Sequence, residues 1–356
     1  MLDRRLRLLV LLALAGCSDQ REEQTSDTIT QTTQMPTVTT DPSTGESTQA
    51  NETSTSAATT VPTSVDTGDK LDVGAGTGMM EGGDTTVCQK VDMLFVVDDS
   101  GSMEDEQDNL TMAFPAFIGT IQTELDAAVG YNIGVIRTDA NDISCVAGRA
   151  GVLVTRNFLA ASSNDTCTPY ASGYRYMTEA DELVSKFTCA AKVGIGGSGD
   201  EKPIESLIAA LTPPNTDAGE CNENFLREDA LLVIVLITDE EDDHETDMGG
   251  ECEMTPGLGS AGDPPDWYED IVAIKGGIET NIVMLSLVGV TEGTPCPALD
   301  KCNGGITGAE PSPRLVELTQ MFTHGHVGRV CGQYDPFFEE AVADIKAACE
   351  DFIPPG

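Results

Sequence analysis

Three oxygen-bearing side chains occupy alternate positions where an apolar run stops. In Val91-Asp92-Met93-Leu94-Phe95-Val96-Val97-Asp98-Asp99-Ser100-Gly101-Ser102 they are Asp98, Ser100 and Ser102. Alternate residues of a turning loop can aim at one point, and carboxylate and hydroxyl oxygens are the donors that Mg²⁺, Mn²⁺ and Ca²⁺ prefer. A second apolar run, Ala230-Leu231-Leu232-Val233-Ile234-Val235-Leu236-Ile237, ends in Thr238 and Asp239. Its β-branched character suits a central strand buried on both faces. Both acids then fall at strand carboxyl ends, which form the ligand crevice of an open parallel sheet. Ser102 with Asp105 three residues on also reads as a helix capping box, a role compatible with cation binding.

Catalytic signals are few. The three histidines are His244, His324 and His326. Ser100 lacks a G-x-S-x-G elbow and no histidine can be assigned to it, so no catalysis is expected. A zinc pair at His324 and His326 is the minor reading, since alternate loop histidines are more often exposed polar residues.

The elements that would carry these acids alternate. Leu110, Phe114, Phe117, Ile118, Ile121 and Leu125 recur at helical spacing across 103–127, with Pro115 implying a kink or break. Strands are expected at 131–136, 151–155, 281–290 and 326–330, and helices at 178–187, from Pro203, and at 267–279, 313–322 and 336–349. This predicts an α/β fold: a Rossmann-like open, mostly parallel sheet flanked by helices. The acidic run from Glu240 to Asp247 reads first as a solvated loop.

Composition divides the remaining chain. Residues 18–86 are rich in Thr, Ser, Gln, Gly and acids and poor in large apolar residues, which predicts a disordered tether. With 60 acidic against 19 basic residues, the net charge of −41 disfavours nucleic acid and anionic membrane surfaces as partners. Eleven cysteines indicate an oxidising compartment. Setting Cys17 aside leaves an even number for disulfides, and positions near element ends suggest Cys296 with Cys302 and Cys331 with Cys349.

At Asp98-x-Ser100-x-Ser102 the chain resembles the von Willebrand factor type A (VWA) family, whose metal-ion-dependent adhesion site, or MIDAS, begins with such a loop after the first strand. The resemblance covers residues 87–352. It implies a divalent cation held by Asp98, Ser100, Ser102 and Asp239, with one position left for a carboxylate of a protein or surface ligand. The family's second loop usually supplies a threonine. Here Val193-Gly194-Ile195-Gly196-Gly197-Ser198-Gly199-Asp200-Glu201 has none, leaving Ser198, Asp200 and Glu201, with Glu201 or Asp200 favoured by spacing to Ile204. A carboxylate there would hold the ion more firmly and make it less electrophilic, which opens a structural reading beside the adhesive one.

Residues 1–17 resemble a bacterial lipoprotein signal: Arg4, Arg5 and Arg7, a short apolar run, then Leu14-Ala15-Gly16-Cys17. That resemblance implies lipidation at Cys17, a cell-envelope location and membrane contact through the anchor alone. Ser18 after the cysteine points to the outer membrane by similarity to Gram-negative sorting rules.

Overall fold

A computed structural model describes residues 88–124, 130–139, 145–198, 200–242, 259–291, 293, 296–297 and 308–355. The first apolar run forms strand β1 (Lys90–Val97), followed by helix α1 (Glu104–Glu124) and strand β2 (Gly130–Arg137). Two short bridges, β3 (Arg156–Asn157) and β4 (Asp165–Thr166), precede helices α2 (Leu183–Ala191) and α3 (Pro203–Leu211). The second apolar run is β5 (Leu231–Ile237). Then come α4 (Pro264–Ile274), β6 (Ile282–Val288), α5 (Pro313–Gln320), β7 (His324–Arg329) and α6 (Tyr334–Asp351). Pro203, Pro264 and Pro313 each open a helix, where the missing N–H costs nothing.

The five long strands pair in the order β2-β1-β5-β6-β7, all parallel. Counted within the sheet this is 2-1-3-4-5, the doubly wound order whose reversal point lies between β1 and β5. Asp98 and Asp239 follow those two strands. Burial on both faces explains the continuous apolar runs. Val91, Met93, Phe95 and Val97 face one core layer with Phe114, Phe117, Phe187 and Phe338. Leu94 and Val96 face the other, with Leu207, Trp267, Ile271 and Leu315.

Several expectations need correction. α1 runs unbroken through Pro115, which lies on the exposed side where water can take the freed carbonyl. The strand expected at 151–155 does not form. Leu153 N–H donates to Asn222 Oδ1, and its carbonyl accepts from Arg175, so side chains occupy the groups a ladder would use. Only Val154 N–H reaches β2, at Val135 O. The helix expected at 178–187 begins later, at Leu183.

Both suggested disulfides are wrong in their partners. Cys296 joins Cys331, and Cys349 joins Cys88, while Cys145–Cys221 and Cys167–Cys189 staple the segment after β2. Pairing follows proximity in space. Cys88 just before β1 meets the last turns of α6, although 261 positions separate the two cysteines. Cys302, Cys17 and His244 lie outside the described residues.

Candidate metal centre

Three loops at the carboxyl edge of the sheet bring the expected oxygens together. After β1, Asp98 is fully buried: its Oδ1 accepts Ser100 N–H at 2.6 Å, and its Oδ2 accepts the Thr238 hydroxyl at 2.6 Å. These bonds fix the carboxylate while leaving lone pairs on both oxygens. The Ser100 and Ser102 hydroxyl oxygens lie 3.5 Å apart, both residues nearly buried. Gln107, one turn into α1, donates to Asp98 O and Gly194 O at 2.9 Å each and accepts Gly194 N–H, stitching the first loop to the second.

The second loop lies against Asp99. Gly197 N–H donates to Asp99 O, and a Cβ on Gly197 would come within 2.4 Å of the Asp99 carboxylate, so this contact requires glycine. Of the three candidate oxygens here, the fold turns Glu201 inward. Asp200 instead accepts Gly259 N–H at 2.8 Å and pairs with Lys202 at 3.5 Å, while the Ser198 hydroxyl accepts Asp200 N–H. Glu201 Oε2 accepts the Thr138 hydroxyl, and Oε1 is buried without a hydrogen bond. Asp239, after β5, is wholly buried and neither carboxylate oxygen closes a hydrogen bond.

The resulting charge is far from balanced. Burial, then the Asp98 charge, pushes Asp239 up to about 8, against the nearby Ser102 hydroxyl, which pulls it down. Burial and the charges of Asp98 and Asp99 raise Glu201 well above the carboxylate range. Asp99 is raised by burial and then Asp139, with Arg137 Nε only 3.5 Å away as a partial counterweight. Burial and Asp105 push Glu106, on the first turn of α1, up to about 9. Buried carboxylates without partners are costly, and a divalent cation reverses the local balance.

The residues fit such an ion by chemistry: oxygen donors alone, from Asp98, Ser100, Ser102, Asp239 and Glu201, with unbonded buried oxygens on the last two acids. Among the described residues, no trio of His, Cys, Asp and Glu alone is arranged to hold an ion. His324 and His326 pair with acids of α6. His326 lies between Glu340 and Asp344 of α6, at 3.1 and 3.2 Å, and His324 is 3.6 Å from Asp351.

Sequence reasoning missed Asp99, Gln107, Thr138 and Glu106 as parts of this neighbourhood, and it misread the start of the acidic run. Glu241 and Asp242 are buried. Glu241 accepts Arg314 and Leu315 N–H groups at the start of α5, and Asp242 accepts Ile204 N–H in α3 and Ser260 N–H. Anions at helix N-termini meet unsatisfied donors and the positive end of the dipole. Residues 243–247 lie outside the described residues.

The fold and crevice thus define an open, doubly wound α/β domain with an acidic, hydroxyl-bearing centre at its reversal point. No family model and no curated protein matches the chain. Among solved structures it is similar to proximal thread matrix protein 1 from the mussel byssus with a zinc-occupied MIDAS motif, at 11% identity over 72% of this chain and 48% of that one, TM-score 0.37. It is also similar to the pilus adhesin SpaC from Lactobacillus rhamnosus GG, at 13% identity over 74% and 30% of the two chains, TM-score 0.36. A third is the PilB minor pilin from Streptococcus sanguinis, at 14% identity over 74% and 62%, TM-score 0.33. The chain spans less than two thirds of the length of each of these proteins. Identities and TM-scores this low fix neither family nor activity.

Proposed function

We propose that this chain is a VWA-like binding module that takes up a divalent cation and captures a carboxylate-bearing protein or surface ligand. The observation that carries the reading is the pair of buried acids, Asp239 and Glu201, with unbonded oxygens in the crevice that also holds Asp98. Asp98, Ser100, Ser102, Asp239 and Glu201 would hold Mg²⁺, Mn²⁺ or Ca²⁺. When bound, the ion supplies an electrophilic position for one carboxylate of the partner. The protein's own part is orientation: Thr238 and Ser100 N–H fix Asp98, Thr138 fixes Glu201, and Gln107 holds the two loops in register.

The same reading places the domain at residues 87–352, on a disordered tether of residues 18–86, after a lipoprotein signal of residues 1–17 lipidated at Cys17. It makes the module an outer-membrane adhesion component with no nucleic-acid partner and no catalytic residue. Among the described residues no helix is long and apolar enough to cross a membrane. A second reading has support in Glu201: a carboxylate where the family carries threonine leaves the cation less uncompensated charge, which favours a scaffold over an adhesin.

Calorimetric titration of chelator-stripped protein with Mg²⁺, Mn²⁺ and Ca²⁺, beside an Asp98→Ala, Ser100→Ala variant, tests the site. Saturable binding by the parent and at least a hundredfold weaker binding by the variant is expected. Equal isotherms for the two folded proteins would remove the metal centre. Metal binding without any carboxylate ligand would leave the scaffold reading.

A further inference from the structure

The segment between β2 and α3 lies along the outer edge of β2. Two contacts lay it there: Val154 N–H donates to Val135 O at 2.8 Å, and Met177 exchanges a pair of backbone bonds with Ile133 at 2.8 and 2.9 Å. Covering an edge strand in this way blunts it against pairing with another chain. Between the two contacts run residues 155–176. With residues 220–221 they form a cleft of about 560 Å³, lined by Thr155, Thr168, Tyr170, Tyr174, Arg175 and Glu220. That volume lies within the roughly 300–1,000 Å³ of small-ligand sites. The lining shares no residue with the metal centre.

The walls are held without a ligand. The disulfides Cys145–Cys221 and Cys167–Cys189 staple the surrounding chain. Tyr170 is buried, its hydroxyl donating to Val154 O at 3.2 Å and Lys186 Nζ lying 5.8 Å from its ring centroid. Arg175 donates through Nε and Nη2 to Leu153 O at 3.0 and 2.6 Å. The Ser172 hydroxyl donates to Tyr176 O at 2.6 Å and accepts Tyr174 N–H at 3.1 Å, which closes the turn that carries Tyr174. Tyr174 is 41% exposed, and its ring stacks on that of buried Tyr176 with the planes 4° apart. Glu220 accepts Arg149 at 2.5 Å through Oε2, and a carboxylate has acceptor capacity beyond one such bond.

An exposed ring beside a guanidinium, a carboxylate and two threonines offers two kinds of contact side by side. The electron-rich face of the ring attracts the polarised C–H groups on the flat side of a pyranose. Planar charged groups and hydroxyls exchange hydrogen bonds with sugar hydroxyls, each of which both donates and accepts. We propose that this cleft is a cation-independent binding site for a neutral saccharide. Arg175 and Glu220 carry opposite charges, so this lining favours neither an anion nor a cation. The net charge of −41 repels an anionic glycan. A peptide anchor is an aromatic or apolar side chain seated in a desolvated pocket, whereas polar and charged residues make up most of this lining. The site goes beyond the cation-dependent capture proposed above and does not depend on it.

The test uses the full chain in an oxidised state. In the presence of chelator it is applied to immobilised neutral di- to tetrasaccharides of glucose, galactose, mannose and N-acetylglucosamine, with sialylated and uronate-containing saccharides beside them. The retained saccharides are titrated in solution against the parent, Tyr174→Ala, Tyr174→Phe and Glu220→Gln, and melting curves establish that each is folded. The expected result is retention of neutral saccharides in chelator and at least tenfold weaker binding by Tyr174→Ala. Tyr174→Phe stays within about threefold of the parent, because the ring makes the contact, and Glu220→Gln binds severalfold more weakly. Saturating Mg²⁺ leaves the parent's affinity unchanged. Retention of no neutral saccharide, or affinities for Tyr174→Ala and Glu220→Gln equal to the parent's, would overturn the inference. Binding that appears only with Mg²⁺ would also overturn it, since the sugar would then belong to the metal centre. Failure of Mg²⁺ to bind at all overturns the metal centre and leaves the chelator arm of this test intact.

Discussion

At the scale of single residues, the crevice is a store of unfavourable charge. An acid whose pKa is higher in the folded chain keeps a proton that the unfolded chain has released. Its stabilisation is therefore full below the ordinary carboxylate range and is lost as pH rises through the folded value. Asp239 at about 8 and Glu106 at about 9 place that loss between about pH 4 and 9. The chelated protein should melt at progressively lower temperature from pH 5 to 9. If the proposed cation binds, saturating Mg²⁺ or Ca²⁺ compensates Asp239 and Glu201 and should raise Tm at pH 8 by roughly 5–10 °C. Asp239→Asn should flatten the chelated profile and abolish the response to cation. Melting curves that run parallel with and without cation would refute the compensation.

Those residue-level tensions were legible only in part. Asp98, Ser100, Ser102 and Asp239 could be picked out because each ends or follows an apolar run, and the runs are long enough to leave little choice of element. Glu201 was narrowed to a pair and no further, because which of two adjacent acids turns inward depends on Thr138 from the end of β2. Glu241 and Asp242 looked solvated because the helix N-termini they cap, in α3 and α5, lie far away in sequence.

At the scale of elements, the order of strands and helices follows from periodicity, whereas the disulfides follow from assembly. The two strap ends of α6: Cys331, just before it, reaches Cys296 after β6, and Cys349, near its end, reaches Cys88 before β1. Between them α6 packs Phe338 against Phe117 of α1, ring centroids 4.5 Å apart. Its first residue, Tyr334, is buried near Glu106 and Asp239, which raise its pKa after burial itself. The position of α6 and that of the acidic loops are thus coupled. Replacing Cys88 and Cys349 together by serine should cost about 2–5 kcal/mol, read as a lower midpoint in urea. A midpoint equal to the parent's would mean that packing alone holds α6.

For the whole molecule, the charge of −41 opposes compactness. Shortening the Debye length from about 30 Å to about 10 Å, by raising salt from roughly 10 to 100 mM, should raise Tm of the chelated protein. Insensitivity to salt over that range would show the charges to be spread too far apart to matter. The core has its own answer to buried charge at the opposite end of the sheet. Asp92, pushed up to about 6 by burial, is held by Arg227, which also donates to Val91 O and Gly130 O. That pair is neutral as built, in contrast to the crevice.

The bond from Cys88 to Cys349 has a mechanical meaning. β1 climbs from Cys88 to Asp98, and α6 descends from Tyr334, beside the acids, to Cys349. Tension applied upstream of Cys88 and resisted by a ligand at the crevice therefore divides into two paths, one through β1 and one through α6. On the first, β1 is flanked by β2 and β5 and is drawn lengthwise, so its ladder bonds share the strain at once instead of opening one after another. On the second, the pull runs along a helix secured at both ends. Residues 89–348 lie inside the covalent ring that this bond closes.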